Sequence, residues 1–341
     1  MKAVVLDQHG EKGARLRDFP DPVPASGESV MRVVAAGLNR VDLYVRDSGA
    51  GITQTLPLVM GVEGAGEIVA AEPGTGLRAG MKVILYSEAF CNKCRYCLAG
   101  DQPLCETVRI SGEHRHGTFA EYIAMPSRCF FPLPDDANLQ EAGVLMTAYL
   151  TAWRMLFGKK PLRPGESLLI VGIGGGVAVA CLQLARLVGA RVFVTSSSDD
   201  KLQRAAALGA EGGVNYRTER VSRRILEMTG GVGADMVVDS VGEASWGESL
   251  RALRRGGRLI TCGATTGGNP PADIQRLFIR QLEIYGSTGG SIAEFGELLQ
   301  VYNRGLLRPV IDSTFPLQDI HAAFDRLAKG EQFGKISLLI S

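Results

Sequence analysis

Net charge is almost absent from this chain: 37 basic against 36 acidic residues leave +1. Composition therefore carries no footprint for nucleic acid or for an acidic membrane surface. Long apolar runs are missing as well. The opening MKAVVLDQHG holds only a brief one, too short for a secretory signal or a membrane span. Cysteine is scarce outside one short stretch. Beyond it stand only Cys129, Cys181 and Cys262, each in an apolar or strand-like context, which reads as buried thiols rather than a disulfide framework. No internal repeat or low-complexity tract stands out. These absences predict a soluble, cytoplasmic protein with neither nucleic acid nor membrane among its partners. The 341 residues suffice for two domains of ordinary size.

The one dense group of cysteines is Cys91, Cys94, Cys97 and Cys105, spaced C-x2-C-x2-C-x7-C within the polar, turn-forming stretch CNKCRYCLAGDQPLC. Zn²⁺ takes four thiolates at tetrahedral corners, and a short looping segment can deliver them unaided. Four protein ligands leave no position for water or substrate, so this zinc is expected to be structural. A redox pair or four unrelated thiols is the competing reading, which such dense spacing disfavours.

The first 130 residues read as short strands broken by turns. SVMRVVAAG alternates, and GVEGAGEIV and EPGTGLRAG bring glycine-rich turns, so a compact β-rich domain is expected. From about residue 167 apolar strand runs alternate with helical segments: SLLIVG, RVFVTSS, GGVNY, ADMVVDSVG, RLITCG and LEIYGS, with helical stretches between. Buried, unalternating strands separated by helices predict a doubly wound parallel sheet. The fold class is α/β with two domains. The tail, helical over IAEFGELLQVYNRG and HAAFDRLAKG and ending in the strand KISLLIS, is too small to stand alone and is expected to rejoin the first domain.

SLLIVG runs into Ile173-Gly174-Gly175-Gly176-Val177-Ala178 and then an amphipathic helix. Glycines at such a turn let a pyrophosphate approach backbone amides at the positive end of the helix dipole. Two departures from the dinucleotide fingerprint are read here, Ile173 for the first glycine and Ala178 for the third; a tight turn in an unrelated α/β domain is the plainer alternative. The second strand, RVFVTSSS, ends in hydroxyls such as Ser197, with Lys201 and Arg204 close behind. Small donors and a cation suit a 2′-phosphate, which a carboxylate would repel. NADP(H) is favoured over NAD(H). Asp199 and Asp200 complicate this, although they also suit the start of the next helix.

The cysteine lobe, GVEGAG, the glycine-rich turn and the closing FGKISLLI together resemble the medium-chain dehydrogenase/reductase superfamily over essentially the whole chain. The resemblance implies a discontinuous GroES-like catalytic domain, residues 1–130 and 289–341 with a structural-zinc lobe at about 88–108. It implies a Rossmann domain over 131–288 and an active site in the cleft between the two. A homodimer or homotetramer is implied too, paired through the last Rossmann strand around Leu282 to Gly286. Thr151 and Lys335 match family positions near the cofactor phosphates and Tyr216 one near the adenosine. Val241, Gly263 and Ser287 fall on strand ends facing the nicotinamide.

Zinc alcohol dehydrogenases of this superfamily hold a second, catalytic zinc. At the matching ligand positions this chain has Asn39, Val62 and Thr147, and Val41 replaces the proton-relaying hydroxyl. An Asn, a Val and a Thr cannot fix a zinc with one open site. Asn39, Asp42 and Tyr44 instead resemble the zinc-free quinone oxidoreductase branch, whose asparagine and tyrosine line the nicotinamide pocket. On that reading Asn39 donates an amide hydrogen bond to a substrate carbonyl and Tyr44 a phenol proton; packing is an equal alternative for Tyr44. Asp42 and Glu63 match second-shell carboxylates of the zinc enzymes. Together with His114 or His116 they leave open a weaker metal site. The tyrosine acid of the enoyl reductases is missing from SGAGITQT. The leading expectation is an NADPH-dependent reductase of quinones or activated carbonyls or alkenes acting on a small-molecule substrate, with one structural Zn²⁺. An alcohol dehydrogenase with an atypical metal site and a low-turnover cofactor-binding scaffold are the alternatives. A zinc-ribbon nucleic-acid binder fails on charge.

Overall fold

The structure, a computed structural model, describes residues 1–48, 51 and 54–340; the stretch SGAGITQT therefore lies partly outside the described residues. The chain divides into two units, Met1–Leu150 with Gly290–Ser341, and Thr151–Gly289.

The first unit is built around the eleven-residue strand Glu28–Leu38. Its apolar positions are buried at nearly every step, which demands neighbours on both edges and cover on both faces. Gly64–Ala70 pairs antiparallel along one edge and Lys335–Leu339 along the other. The sheet continues outward through Lys82–Leu85 and Phe130–Pro132 on one side and Ile311–Pro316 on the other, with Tyr122–Pro126 also paired to Glu28–Leu38. A smaller sheet orders Ala14–Asp18, Lys2–Leu6 and Leu58–Val59. The tail joins this unit as expected. Helix Ile292–Asn303 opens on a capping box in which Ser291 and Glu294 satisfy each other's backbone amides, and helix Ile320–Lys329 ends on the left-handed Gly330.

The expected boundary near residue 130 is displaced. Residues 131–150 belong to the first unit, because Phe130–Pro132 pairs with Lys82–Leu85 and the Tyr149 hydroxyl accepts from the Val310 amide at 3.0 Å. Apolar content alone could not assign this helical segment to either side.

The second unit is a six-stranded, wholly parallel sheet. Its spatial order is Gly212–Asn215, Arg191–Ser196, Ser167–Ile170, Ala234–Asp239, Leu253–Thr261 and Glu283–Gly286. Leu168, Leu169 and Ile170 are all buried. Each contributes about 2 kcal/mol by removal from water, so the strand is held by both faces at once. The order reverses between Ser167–Ile170 and Ala234–Asp239, which makes the carboxyl ends of these two strands a topological switch point. Among the described residues no helix is long and apolar enough to cross a membrane.

Candidate active-site, cofactor and metal residues

The four cysteines converge. Their sulfurs all lie within 4.8 Å of one another, with Cys91 and Cys97 at 3.9 Å. Thiolates around one zinc stand about 3.8 Å apart, from a bond of about 2.3 Å and tetrahedral angles. The turn is made by Asn92 in the left-handed region, and Cys94 caps the short helix Arg95–Leu98. The Cys94 amide donates to Cys91 Sγ at 3.3 Å and the Cys91 amide to Cys105 Sγ at 3.4 Å. Amides of Lys93 and Cys94 pull the Cys91 thiol down to about 6, while burial pushes Cys97 up to about 12. Four convergent thiols with amides aimed at their sulfurs fit a structural zinc. Unrelated thiols would not converge in this way.

A second cluster forms where the Glu28–Leu38 strand passes into helix Arg40–Asp47. Asn39 is the N-cap, and Asp42 reaches back to accept its backbone amide at 2.7 Å. Asp42 is fully buried, which pushes its carboxyl well above the usual range against the pull of that amide. Glu63 is also fully buried. Its Oε1 accepts from Asn39 Nδ2 at 2.8 Å and pairs with Lys335 Nζ at 2.7 Å, and its Oε2 accepts from the Thr147 amide at 2.6 Å. Gly37 makes this possible, since a Cβ there would fall 2.1 Å from Glu63 Oε1.

Two expectations change here. Asn39 Nδ2 spends its hydrogens on Gly37 O, at 3.2 Å, and on Glu63, so no amide hydrogen remains for a substrate carbonyl in this arrangement. Lys335 was expected near the cofactor phosphates. Instead its side chain is 2 % exposed and its Nζ donates to Leu38 O at 3.1 Å and Asn39 Oδ1 at 2.5 Å, besides pairing with the Glu63 carboxylate. The cause is register: Ile336 pairs with Leu38, which sets Lys335 beside Asn39. Tyr44, on the same helix, is 37 % exposed.

The histidines do not join this cluster. His114 Nδ1 accepts from the Ile110 amide and His116 Nδ1 from the Val59 amide, each at 3.2 Å, and His116 stacks edge-on against Phe19. Burial lowers both. Among the described residues no group of three His, Cys, Asp or Glu converges apart from the cysteines, so the atypical metal site finds no ligand set. A residue the sequence reading missed is Glu113. It is buried, and burial pushes it up to about 7; its charge and that of Glu63 act on Asp42. Its only signal was its place between Gly112 and His114.

In the second unit the glycine-rich turn is read one residue late by the spacing above. Gly172 has φ +76° and Gly174 φ +122°, and the helix starts at Gly176 with Gly175 as N-cap. Gly172 is thus the first glycine, and Val177 stands at the third. Ile173 bonds back to Thr195 O at 2.8 Å. The predicted Ser197, Tyr216, Val241, Gly263 and Ser287 each follow the end of a parallel strand, so the sheet gathers them along one edge with Gly174, Gly175 and Gly176. Ser198 caps helix Asp199–Ala207 through its side chain, which places Asp199 and Asp200 in the first turn. Asp199 accepts from Asn215 Nδ2 at 2.8 Å. Lys201 lies against Gly174. The Ser287 hydroxyl is buried without a partner. A glycine cradle at a helix N-terminus, a cation beside it and an orphaned hydroxyl at a neighbouring strand end fit a dinucleotide. Thr151 is buried in helix Met146–Trp153, at the start of the second unit.

Known proteins agree with this architecture. The alcohol dehydrogenase GroES-like domain family matches residues 25–135 and the zinc-binding dehydrogenase family residues 176–304. An alcohol dehydrogenase of Geobacillus stearothermophilus is 32 % identical over all of both chains. An acryloyl-coenzyme A reductase of Metallosphaera sedula is 30 % identical over 99 % of each. A solved NAD-dependent alcohol dehydrogenase superposes with TM-score 0.96 at 38 % identity over 100 % of each chain. The fold and site define a hydride-transfer oxidoreductase. The chain belongs to the medium-chain dehydrogenase/reductase superfamily, with the zinc-containing alcohol dehydrogenases.

Proposed function

We propose that this protein is a cytoplasmic NADPH-dependent reductase of quinones or other activated carbonyls or alkenes, carrying one structural zinc and no catalytic one. The observation that carries this reading is the Lys335 ammonium held between Glu63 and Asn39, in the cluster built on residues that match the catalytic-zinc shell of the family. NADPH, when bound, supplies the hydride. The glycine turn and Lys201 hold its phosphates, and Val241, Gly263 and Ser287 line the strand ends. In the first unit the Asp42–Asn39 cap fixes the start of the helix that carries Tyr44, whose exposed phenol would give a proton to the reduced substrate. Asn39 acts by holding Glu63 and Lys335 rather than by touching substrate.

A second reading, alcohol oxidation with a metal, is favoured by the relatives named alcohol dehydrogenases. Metal analysis together with an NADPH-oxidation screen separates them. The screen spans quinones, enones, enoyl thioesters, aldehydes and alcohols, and the thioesters are included because of the acryloyl-coenzyme A reductase relative. One zinc per subunit with turnover on quinones or enones is expected. Two zincs, or turnover on alcohols alone, would overturn the reading. Tyr44→Phe should lower kcat more than KM, by about 10²-fold if the phenol gives the proton.

A homodimer or tetramer is part of the proposal. Strand Glu283–Gly286 is the sheet's edge, and the adjoining helix Ile274–Arg280 buries none of its residues, leaving Ile274, Phe278 and Ile279 exposed.

A further inference from the structure

We infer that the Asn39–Glu63 cluster is a binding hole for a primary ammonium ion, and that Lys335 is its tethered occupant in place of a metal. Three oxygens converge on Nζ: Leu38 O at 3.1 Å, Asn39 Oδ1 at 2.5 Å and Glu63 Oε1 at 2.7 Å. An ammonium has three N–H groups and no acceptor; Leu38 O and Asn39 Oδ1 accept hydrogen bonds from it, and the Glu63 carboxylate pairs with its charge. The Glu63 separation is that of a charge-assisted contact, the Leu38 one that of an ordinary hydrogen bond and the Asn39 one is short; all three exceed the roughly 2.0–2.2 Å of zinc–oxygen bonds.

The hole is closed by the rest of the fold. Glu63 is held on its other oxygen by the Thr147 amide and on its own carbonyl by Thr118 Oγ1 at 2.7 Å. Asn39 is fixed by Gly37 O and by Glu63, and Leu38 O belongs to a paired strand. None of the three oxygens needs Lys335 in order to keep its place. One carboxylate, one amide and one peptide carbonyl are a hard, singly charged set without imidazole or thiolate, a poor zinc site. With a monovalent cation tethered inside, a divalent one is kept out. The inference rests on this geometry and not on the substrate assigned above.

Cutting the tether tests it. Lys335→Ala removes the ammonium and leaves room for a small one, so its melting temperature should fall by roughly 5–10 °C. Ethylammonium or methylammonium at tens of millimolar should restore at least half of the loss. Tetramethylammonium, with the same charge but no N–H, should not, and wild type should respond to none of them. The idea is overturned if Lys335→Ala melts like wild type, or if ethylammonium and tetramethylammonium act alike. Should Lys335→Ala be insoluble, the pair Lys335→Met and Glu63→Gln decides. The double variant, neutral on both sides, should be soluble and melt above Lys335→Met alone. A double variant no better than Lys335→Met would overturn the inference. These readouts are of stability and ion binding, so their failure is distinct from failure of the hydride-transfer reading.

Discussion

The Lys201 side chain lies over the α-carbon of Gly174: a Cβ at 174 would come 2.9 Å from Lys201 Cδ and 3.1 Å from its Nζ. Two signals that are 27 positions apart in sequence thus meet at one surface, the glycine supplying the turn and the lysine the charge that the proposed 2′-phosphate would face. Lys201→Glu should therefore weaken NADPH by roughly 10–100-fold, the worth of one charge-assisted hydrogen bond, with a much smaller effect on NADH. Equal losses for both cofactors, measured by fluorescence titration, would remove Lys201 from the 2′-phosphate.

Replacing Cys97 with serine should release the zinc, because the buried thiol is one of four convergent ligands. Elemental analysis should read about one zinc per subunit in wild type and less than a tenth of that in the variant. Limited proteolysis should then cut within residues 88–108. Retention of a full equivalent of zinc would show that the thiols are not its ligands.

Glu113 sets a pH dependence of known sign. Its folded value is about 7 against an ordinary 4.5. Between these values the folded protein keeps a proton that the unfolded chain has released, so stability falls as pH rises through the window. The full loss is about 3 kcal/mol. Glu113→Gln should accordingly gain on wild type in melting temperature between pH 5 and pH 8, with little difference between them at pH 4. A difference that stays constant across this range would rule out Glu113 as the source.

Phe278→Glu places a charge on the exposed apolar helix Ile274–Arg280 beside the edge strand. Sedimentation should show the wild-type protein as an oligomer and the variant dissociating at micromolar concentration. A wild-type monomer, or a variant of unchanged size, would place any subunit contact elsewhere.

The sequence was most legible where chemistry is local. The cysteines span fifteen residues, and their spacing alone determines that they can meet. The parallel sheet was readable because buried strands and amphipathic helices alternate, and its six strands fall where the apolar runs stand. The strand-end residues Val241, Gly263 and Ser287 came from the family resemblance rather than from that pattern. Gly172 was misjudged because a run of glycines gives several registers, and only backbone φ distinguishes them. Lys335 could not be placed: its partner Asn39 is 296 residues away, and the contact depends on strand register, which a single sequence specifies only through burial. The assignment of residues 131–150 failed for a similar reason, since their attachment is a hydrogen bond to Val310 and a strand pairing rather than a local pattern.

The insertion of Lys335–Leu339 between Glu28–Leu38 and Ile311–Pro316 has a consequence for synthesis. Lys335 and its acceptor Leu38 O are 297 residues apart, a wait of roughly 15–60 s at ribosomal speeds. Throughout that interval the central strand of the first unit has one edge open over Ala35–Leu38, its Glu28–Arg32 part being covered by Tyr122–Pro126. The stretch Thr151–Gly289 is contiguous and can close its own sheet as it emerges. Nascent chains of this protein should thus carry a finished parallel-sheet unit behind an unfinished partner, and it is the exposed edge of Ala35–Leu38 that chaperones would have to guard.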